Sequence, residues 1–304
     1  MQAELTLGPV PFHWSPEKMR DFYACIADEA PVDTVYLGEV ICSKRAPFFE
    51  AEIPETAERL ERGGKRVVLS SLAEVMLARE RKATAGLAGM DGAEIEINNA
   101  AGLYSRGARP HRIGPFMNAY NEDTIAWMAR NGATHVCLPA EMPAEAVKVA
   151  AQAAGSLGVG VEFQVFGRAP LAVSARCYHA RSHGRTKDNC QFVCENDPDG
   201  MPLRTTDDRP ILRINGIQTQ SESYVDLLPE TGRLTACGVS HLRLVPQVVD
   251  MVAVADIFRC ALNRALDVAE AEVRLRGLCE GTRFSNGFYH GQAGYRRISN
   301  AVPA

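Results

Sequence analysis

A parallel (β/α)8 barrel is the fold that this sequence predicts, as a single domain over residues 1–304, and three observations point to it. Short β-branched or apolar runs recur along the chain, and segments with helical start and stop signals separate them. Polar and sulfur-bearing residues follow the strands at their C-terminal ends, where barrels of this kind collect their chemistry. Barrels also reach 304 residues without dividing into domains.

Glu4-Leu5-Thr6-Leu7 alternates and stops at Gly8-Pro9, which suits a first strand. Ser15 followed by Pro16 is an N-cap and a first-turn proline, opening a helix to about Asp28. The run 32–38 (VDTVYLG) is the second strand, 54–62 a helix, and 65–69 the third strand. Ser71-Leu72-Ala73-Glu74 is expected to begin a helix that closes before Gly92. Strand four is 93–97, strand five 113–117, and strand six 135–138, with helices over 122–130 and 143–154. Strand seven is 160–166, and 242–245 is the eighth, followed by one long helix over 248–275. That helix is apolar on more than one face, which suggests burial against a second surface. Two segments fall outside the repeat: an extra strand or hairpin at about 201–220, and a glycine- and aromatic-rich tail over 286–297.

Composition sets limits. Hydrophobic residues make up 46%, enough for a full core, and the net charge of −4 offers no global attraction to nucleic acid or anionic membrane. No run approaches the roughly 18 uninterrupted apolar residues of a membrane span. The start of the chain lacks a basic segment followed by an apolar one, so the expectation is a cytoplasmic protein without a transmembrane segment. Nine cysteines in a reducing compartment are metal ligands, catalytic groups or core residues more often than disulfides.

The stretch 174–200 holds three of them, Cys177, Cys190 and Cys194, among His179, His183 and the cations Arg176, Arg181, Arg185 and Lys187. It has neither period and reads as a long loop, of the kind that is functional when ordered. The barrel brings Glu39, Cys42, Asn98, Asn118 and Glu141 to the same face, so Cys42 comes within reach of the other three thiols. Four thiolates fit a [4Fe–4S] cluster or a tetrahedral zinc. The wide ligand spacing and the local cations favour the cluster; zinc and unliganded thiols stay open. Cys25, Cys260 and Cys279 read as helix core residues, Cys137 as a buried strand residue, and Cys237 as packing.

Other residues carry two readings each. Glu162 and Gln164 face one side of strand seven, so Glu162 is either a proton donor or part of a satisfied polar layer. His179 and His183 are either acid/base groups or loop histidines. Arg45 and Arg176, each near a proposed ligand, are candidates for a carboxylate clamp, and Asn118 for a polar ligand contact.

The run Glu162-Phe163-Gln164-Val165-Phe166-Gly167-Arg168-Ala169-Pro170-Leu171 with Ser174-Ala175-Arg176-Cys177 resembles the signature of the collagenase-like "U" peptidase superfamily. Tyr36-Leu37-Gly38-Glu39, Cys42-Ser43-Lys44-Arg45, Cys177-x12-Cys190-x3-Cys194 and Asn286-Gly287-x2-His290-Gly291 are similar to its UbiV branch. The resemblance implies a [4Fe–4S] cluster on Cys42, Cys177, Cys190 and Cys194. It implies a heterodimer with a homologous UbiU-like subunit, and O2-independent hydroxylation of ubiquinone precursors with prephenate as oxygen donor. An RNA-hydroxylating relative and a zinc-stabilised scaffold are the rival readings. Peptidase activity is not expected, since no HExxH or GxSxG motif is present.

Overall fold

Eight parallel strands close on themselves in the computed structural model, which describes residues 3–299. In chain order they are β1 (Glu4–Leu7), β2 (Thr34–Leu37), β3 (Arg66–Ser70), β4 (Glu94–Ile97), β5 (His111–Ile113), β6 (Ala133–Cys137), β7 (Gly160–Val173) and β11 (His241–Leu244). Each pairs in parallel with the next, and β11 pairs with both β1 and β7, which closes the barrel. The intervening helices are α1 (Pro16–Glu29), α2 (Ile53–Arg62), α3 (Ala78–Gly89), α4 (Ala100–Arg106), α5 (Glu122–Arg130) and α6 (Ala144–Ser156). After β7 come α7 (Tyr178–Ser182), β8 (Met201–Arg204), β9 (Pro210–Asn215), β10 (Gln218–Asp226) and α8 (Thr231–Ala236). The chain then adds α9 (Met251–Leu262), α10 (Val268–Leu278) and β12 (Phe284–Ser285). No helix among the described residues is long and apolar enough to cross a membrane.

Local chemistry accounts for the element ends. Ser15 accepts from the Lys18 amide at the start of α1, with Pro16 in its first turn, as read from the sequence. Asn99 and Asn121 cap α4 and α5 in the same way, accepting from Gly102 and Thr124. Helix α4 is absent from the sequence expectation, because its alanine- and glycine-rich start carries little amphipathic signal.

Several expectations are corrected. Residues 71–77 are not helical; Glu80 folds back to accept from the Met76 and Leu77 amides, so α3 starts at Ala78. The fifth strand is His111–Ile113, since Pro115 turns the chain into a single 3-10 turn. The long helix over 248–275 is two helices: Arg264 adopts a left-handed φ of 57° and Asp267 caps α10. Strand seven runs on to Val173, and its extension pairs antiparallel with β10, which pairs with β9 and that with β8. The expected hairpin is therefore part of a three-stranded flap continuous with the barrel wall. The stretch after Ser174 is not a bare loop, because α7 and a short 3-10 turn over Val193–Asn196 interrupt it. Cys25 is exposed rather than core: α1 buries Tyr23, Ile26 and Ala27, and Cys25 lies off that stripe. Cys137 and Cys279 are buried, and Cys237 and Cys260 partly so.

The barrel interior is a charged layer rather than an aliphatic one. Arg243 donates to Glu96 at 2.5 Å and to Glu162 at 2.7 Å, and lies 4.1 Å from the centre of the Tyr36 ring. Tyr36 donates to Glu162 at 2.8 Å and accepts from Arg112 at 3.0 Å, while Ser70 donates to Glu96 at 2.8 Å. Thr6 donates a short hydrogen bond to the other Glu162 oxygen. Buried charges survive only when paired and hydrogen-bonded, and these are. A small satellite core of Val40, Ile41, Cys177, Ala180 and Ile217 sits apart at the barrel mouth and anchors the loop described next.

Candidate metal centre

Cys42 reaches the mouth by a local device. Strand β2 ends at Leu37, and a φ of 125° at Gly38 turns the chain; a Cβ there would lie 2.7 Å from the Ser70 carbonyl, so only glycine fits. Glu39 then accepts from the Ile41 amide at 2.8 Å and the Cys42 amide at 2.9 Å, folding the next residues into a tight turn. Burial pushes the Glu39 carboxyl up, and the nearby Arg45 guanidinium opposes that.

Across the mouth, β7 delivers Cys177 to the start of α7, where its sulfur accepts from the Ala180 amide at 3.4 Å. Lys44 staples the two segments together. Its ammonium donates to the carbonyls of Lys187 and Asp188, both at 2.8 Å. Phe192, left-handed at φ 53°, packs edge-on to Phe48 and beside His13 and closes the outer side.

The outcome is one small enclosed cavity whose wall includes Cys42, Cys177, Cys190 and Cys194, residues up to 152 positions apart in the chain. Cys42 and Cys177 are buried, and Cys190 and Cys194 are partly exposed. Its free volume, about 20 Å³, is room for a single water. Burial pushes the Cys42 thiol up to about 11 and raises Cys177, so both are protonated at neutral pH with nothing bound. A metal would displace those protons. Among the described residues no three His, Cys, Asp or Glu side chains converge tightly enough for a single ion. The four thiols lie on the wall of one cavity.

Two other candidates share that wall. Arg45 is buried, donating to the Pro11 carbonyl at 3.0 Å and the Asn215 side chain at 2.9 Å, and its Nε has no partner. Burial opposes its charge, while the neighbouring Cys194, Glu39 and Cys42 favour it and raise its pKa. Gly216 leaves room for it: a Cβ there would come within 2.6 Å of Arg45 Nη2. His179 is buried with its Nε2 2.8 Å from Asp197 and its Nδ1 unpartnered. Burial lowers its pKa, so the imidazole is neutral.

The remaining candidates lie elsewhere. Glu162 sits in the barrel layer; despite its burial, the Arg243 ion pair brings its carboxyl down to about 2. It is ionised at neutral pH and has no proton to donate, which leaves the polar-layer reading. His183 is exposed, stacked on His179 at 5.6 Å, and off the cavity wall. Asn118 is exposed in a left-handed turn at φ 54°. Asn286 and His290 both bond one Glu230 oxygen, at 3.0 and 2.8 Å, and so tie the tail to the barrel. Arg176 is exposed on a neighbouring basic cleft, with Cys177 at the boundary. Nothing in the sequence pattern singled out the Lys44 staple or the Phe48–Phe192 cover, because each depends on a contact across the fold; the Glu39 turn-cap is local, reaching amides two and three residues on.

Among solved structures, the chain is similar to an uncharacterised Bacillus cereus protein, at 10% identity and a TM-score of 0.42, covering 80% of this chain and 61% of that one. It is also similar to the phospho-2-dehydro-3-deoxyheptonate aldolase of Thermotoga maritima, at 12% identity and a TM-score of 0.42, covering 93% and 71% respectively. The chain thus spans less than two thirds of the first of these proteins. A match to peptidase family U32 extends over residues 14–299, nearly the whole chain, and the protein belongs to that family.

Proposed function

We propose that this chain is the UbiV-like, [4Fe–4S]-binding subunit of a heterodimeric hydroxylase that modifies ubiquinone precursors without dioxygen. The observation that carries the reading is the ring of four free cysteines, one from the turn after β2 and three from the segment after β7, around one cavity. The donor set suits an all-cysteinyl cubane, and Arg45 and Lys187 on the same wall offset its negative charge. Bound there, the cluster would supply one-electron redox chemistry. The protein's own contribution is to hold the thiols, keep Arg45 charged beside them, and shield the site with Phe48 and Phe192. The family name includes peptidases, yet the chain has neither an HExxH nor a GxSxG motif, which favours the non-proteolytic reading.

The test is reconstitution. The chain, combined anaerobically with its homologous UbiU-like partner, a prenylated phenol precursor and prephenate, should give a ring-hydroxylated product. That product should carry the oxygen label of the prephenate. Product formation that requires dioxygen, or none from a fully iron-loaded complex, contradicts the proposal.

A further inference from the structure

Beside the thiol cavity lies an open cleft of about 670 Å³, within the usual size of small-ligand pockets. Its walls come from three segments distant in sequence: Lys44, the start of α3 at Met76, Leu77 and Arg79, and the stretch 175–188. Six cations line it, Lys44, Arg79, Arg176, Arg181, Arg185 and Lys187, against the single carboxylate of Asp188. In a chain with a net charge of −4 that is a strong local excess.

Two of the six are already used. Lys44 staples the loop, and Lys187 pairs with Glu74 at 3.4 Å. The guanidinium groups of Arg79, Arg176, Arg181 and Arg185 have no ion-pair partner among the described residues. Nor do these four face the thiol cavity, whose cations are Lys44, Arg45 and Lys187. Offsetting the charge of a bound cluster therefore does not explain them. Four like charges around one concavity repel one another, and the arrangement is stabilised when an anion fills it.

We infer that this cleft binds a small molecule carrying at least two carboxylate or phosphate groups, held by Arg79 from one wall and Arg176, Arg181 and Arg185 from the other. Guanidinium groups suit such ligands because each pairs bidentately with a planar or tetrahedral oxyanion. The lining has no aromatic side chain on which a nucleobase would stack, which favours a small polyanion over single-stranded RNA. Cys177 lies on the wall of both the cleft and the thiol cavity, so the ligand sits directly against the site proposed to hold the cluster. The inference does not require that the cluster be present.

Isothermal titration of the full chain with citrate, pyrophosphate, acetate and a single-stranded RNA tests it. The same titrations are run on Cys42→Ala, so that loss of a cluster and loss of the cleft give separate results. Citrate or pyrophosphate should bind, more weakly as salt rises, and acetate should not. The double variant Arg181→Gln/Arg185→Gln, and separately Arg79→Gln on the opposite wall, should each weaken binding by about tenfold or more. Both variants alter solvent-facing guanidinium groups, and unchanged melting temperature and iron content show that the fold persists. Polyanion binding no tighter than acetate, or unchanged in both variants, overturns the assignment. So does RNA that binds more tightly than either small anion and loses affinity in the same variants.

Discussion

Glu162 illustrates how a single residue changes meaning between sequence and structure. Alternation along strand seven correctly turns it into the barrel, but the partner that decides its chemistry, Arg243, lies 81 positions away. That ion pair is a fold-level contact with no local trace, so a proton donor and a structural anion look alike in sequence. Changing Glu162→Gln leaves Arg243 with Glu96 as its remaining carboxylate and should cost about 3 kcal/mol of unfolding free energy. The pH dependence has a definite sign. A carboxyl held near 2 in the folded state and at its ordinary value when unfolded contributes stability that is complete above about pH 4.5. The contribution is lost as pH falls from there towards 2. In chemical denaturation across that range, the gap between wild type and Glu162→Gln should therefore narrow as acid is added. A gap that stays constant would show that the pair does not hold the charge.

At the scale of elements, strands were the more legible part. Most of them end within a few residues of where the sequence puts them, because the barrel demands apolar outward faces along every strand; the seventh, which runs on to Val173, is the exception. Helices were less so. Helix α4 hides in a weakly patterned segment, and α3 starts late because Glu80 caps from inside. The apparent long helix breaks where Arg264 turns left-handed, a backbone event that no hydropathy pattern reports. The segment carrying three cysteines owes its position to side-chain-to-backbone contacts, Lys44 above all. Replacing Lys44→Met removes both donations to the 187–188 carbonyls. Each is worth about 1 kcal/mol, so amide exchange across 184–192 should accelerate roughly tenfold or more while the barrel strands keep their protection. Equal protection in the variant would mean that packing around Phe192 alone holds the segment.

For the molecule as a whole, the barrel explains why the candidate site was partly readable at all. Parallel strands deliver their C-terminal ends to one face, so a cysteine after the second strand and three after the seventh can line one cavity. The spacing of the three late cysteines was visible in the sequence. The means of holding them was not: Glu39 and Arg45 are candidates in the sequence, but the turn-cap, the burial of Arg45 against Pro11 and Asn215 and the aromatic cover appear only in the fold. The run of cations over 176–187 is visible in the sequence, but the opposite wall of the basic cleft, at Lys44 and the start of α3, is not.

Iron and acid-labile sulfide analysis of protein purified without oxygen bears most directly on the central claim that the four thiols hold one cluster. About four irons and four sulfides per chain are expected, falling to a small fraction in Cys42→Ala although that residue is remote in sequence from the other three. Stoichiometric zinc with no sulfide, or iron content that is indifferent to Cys42, would contradict it.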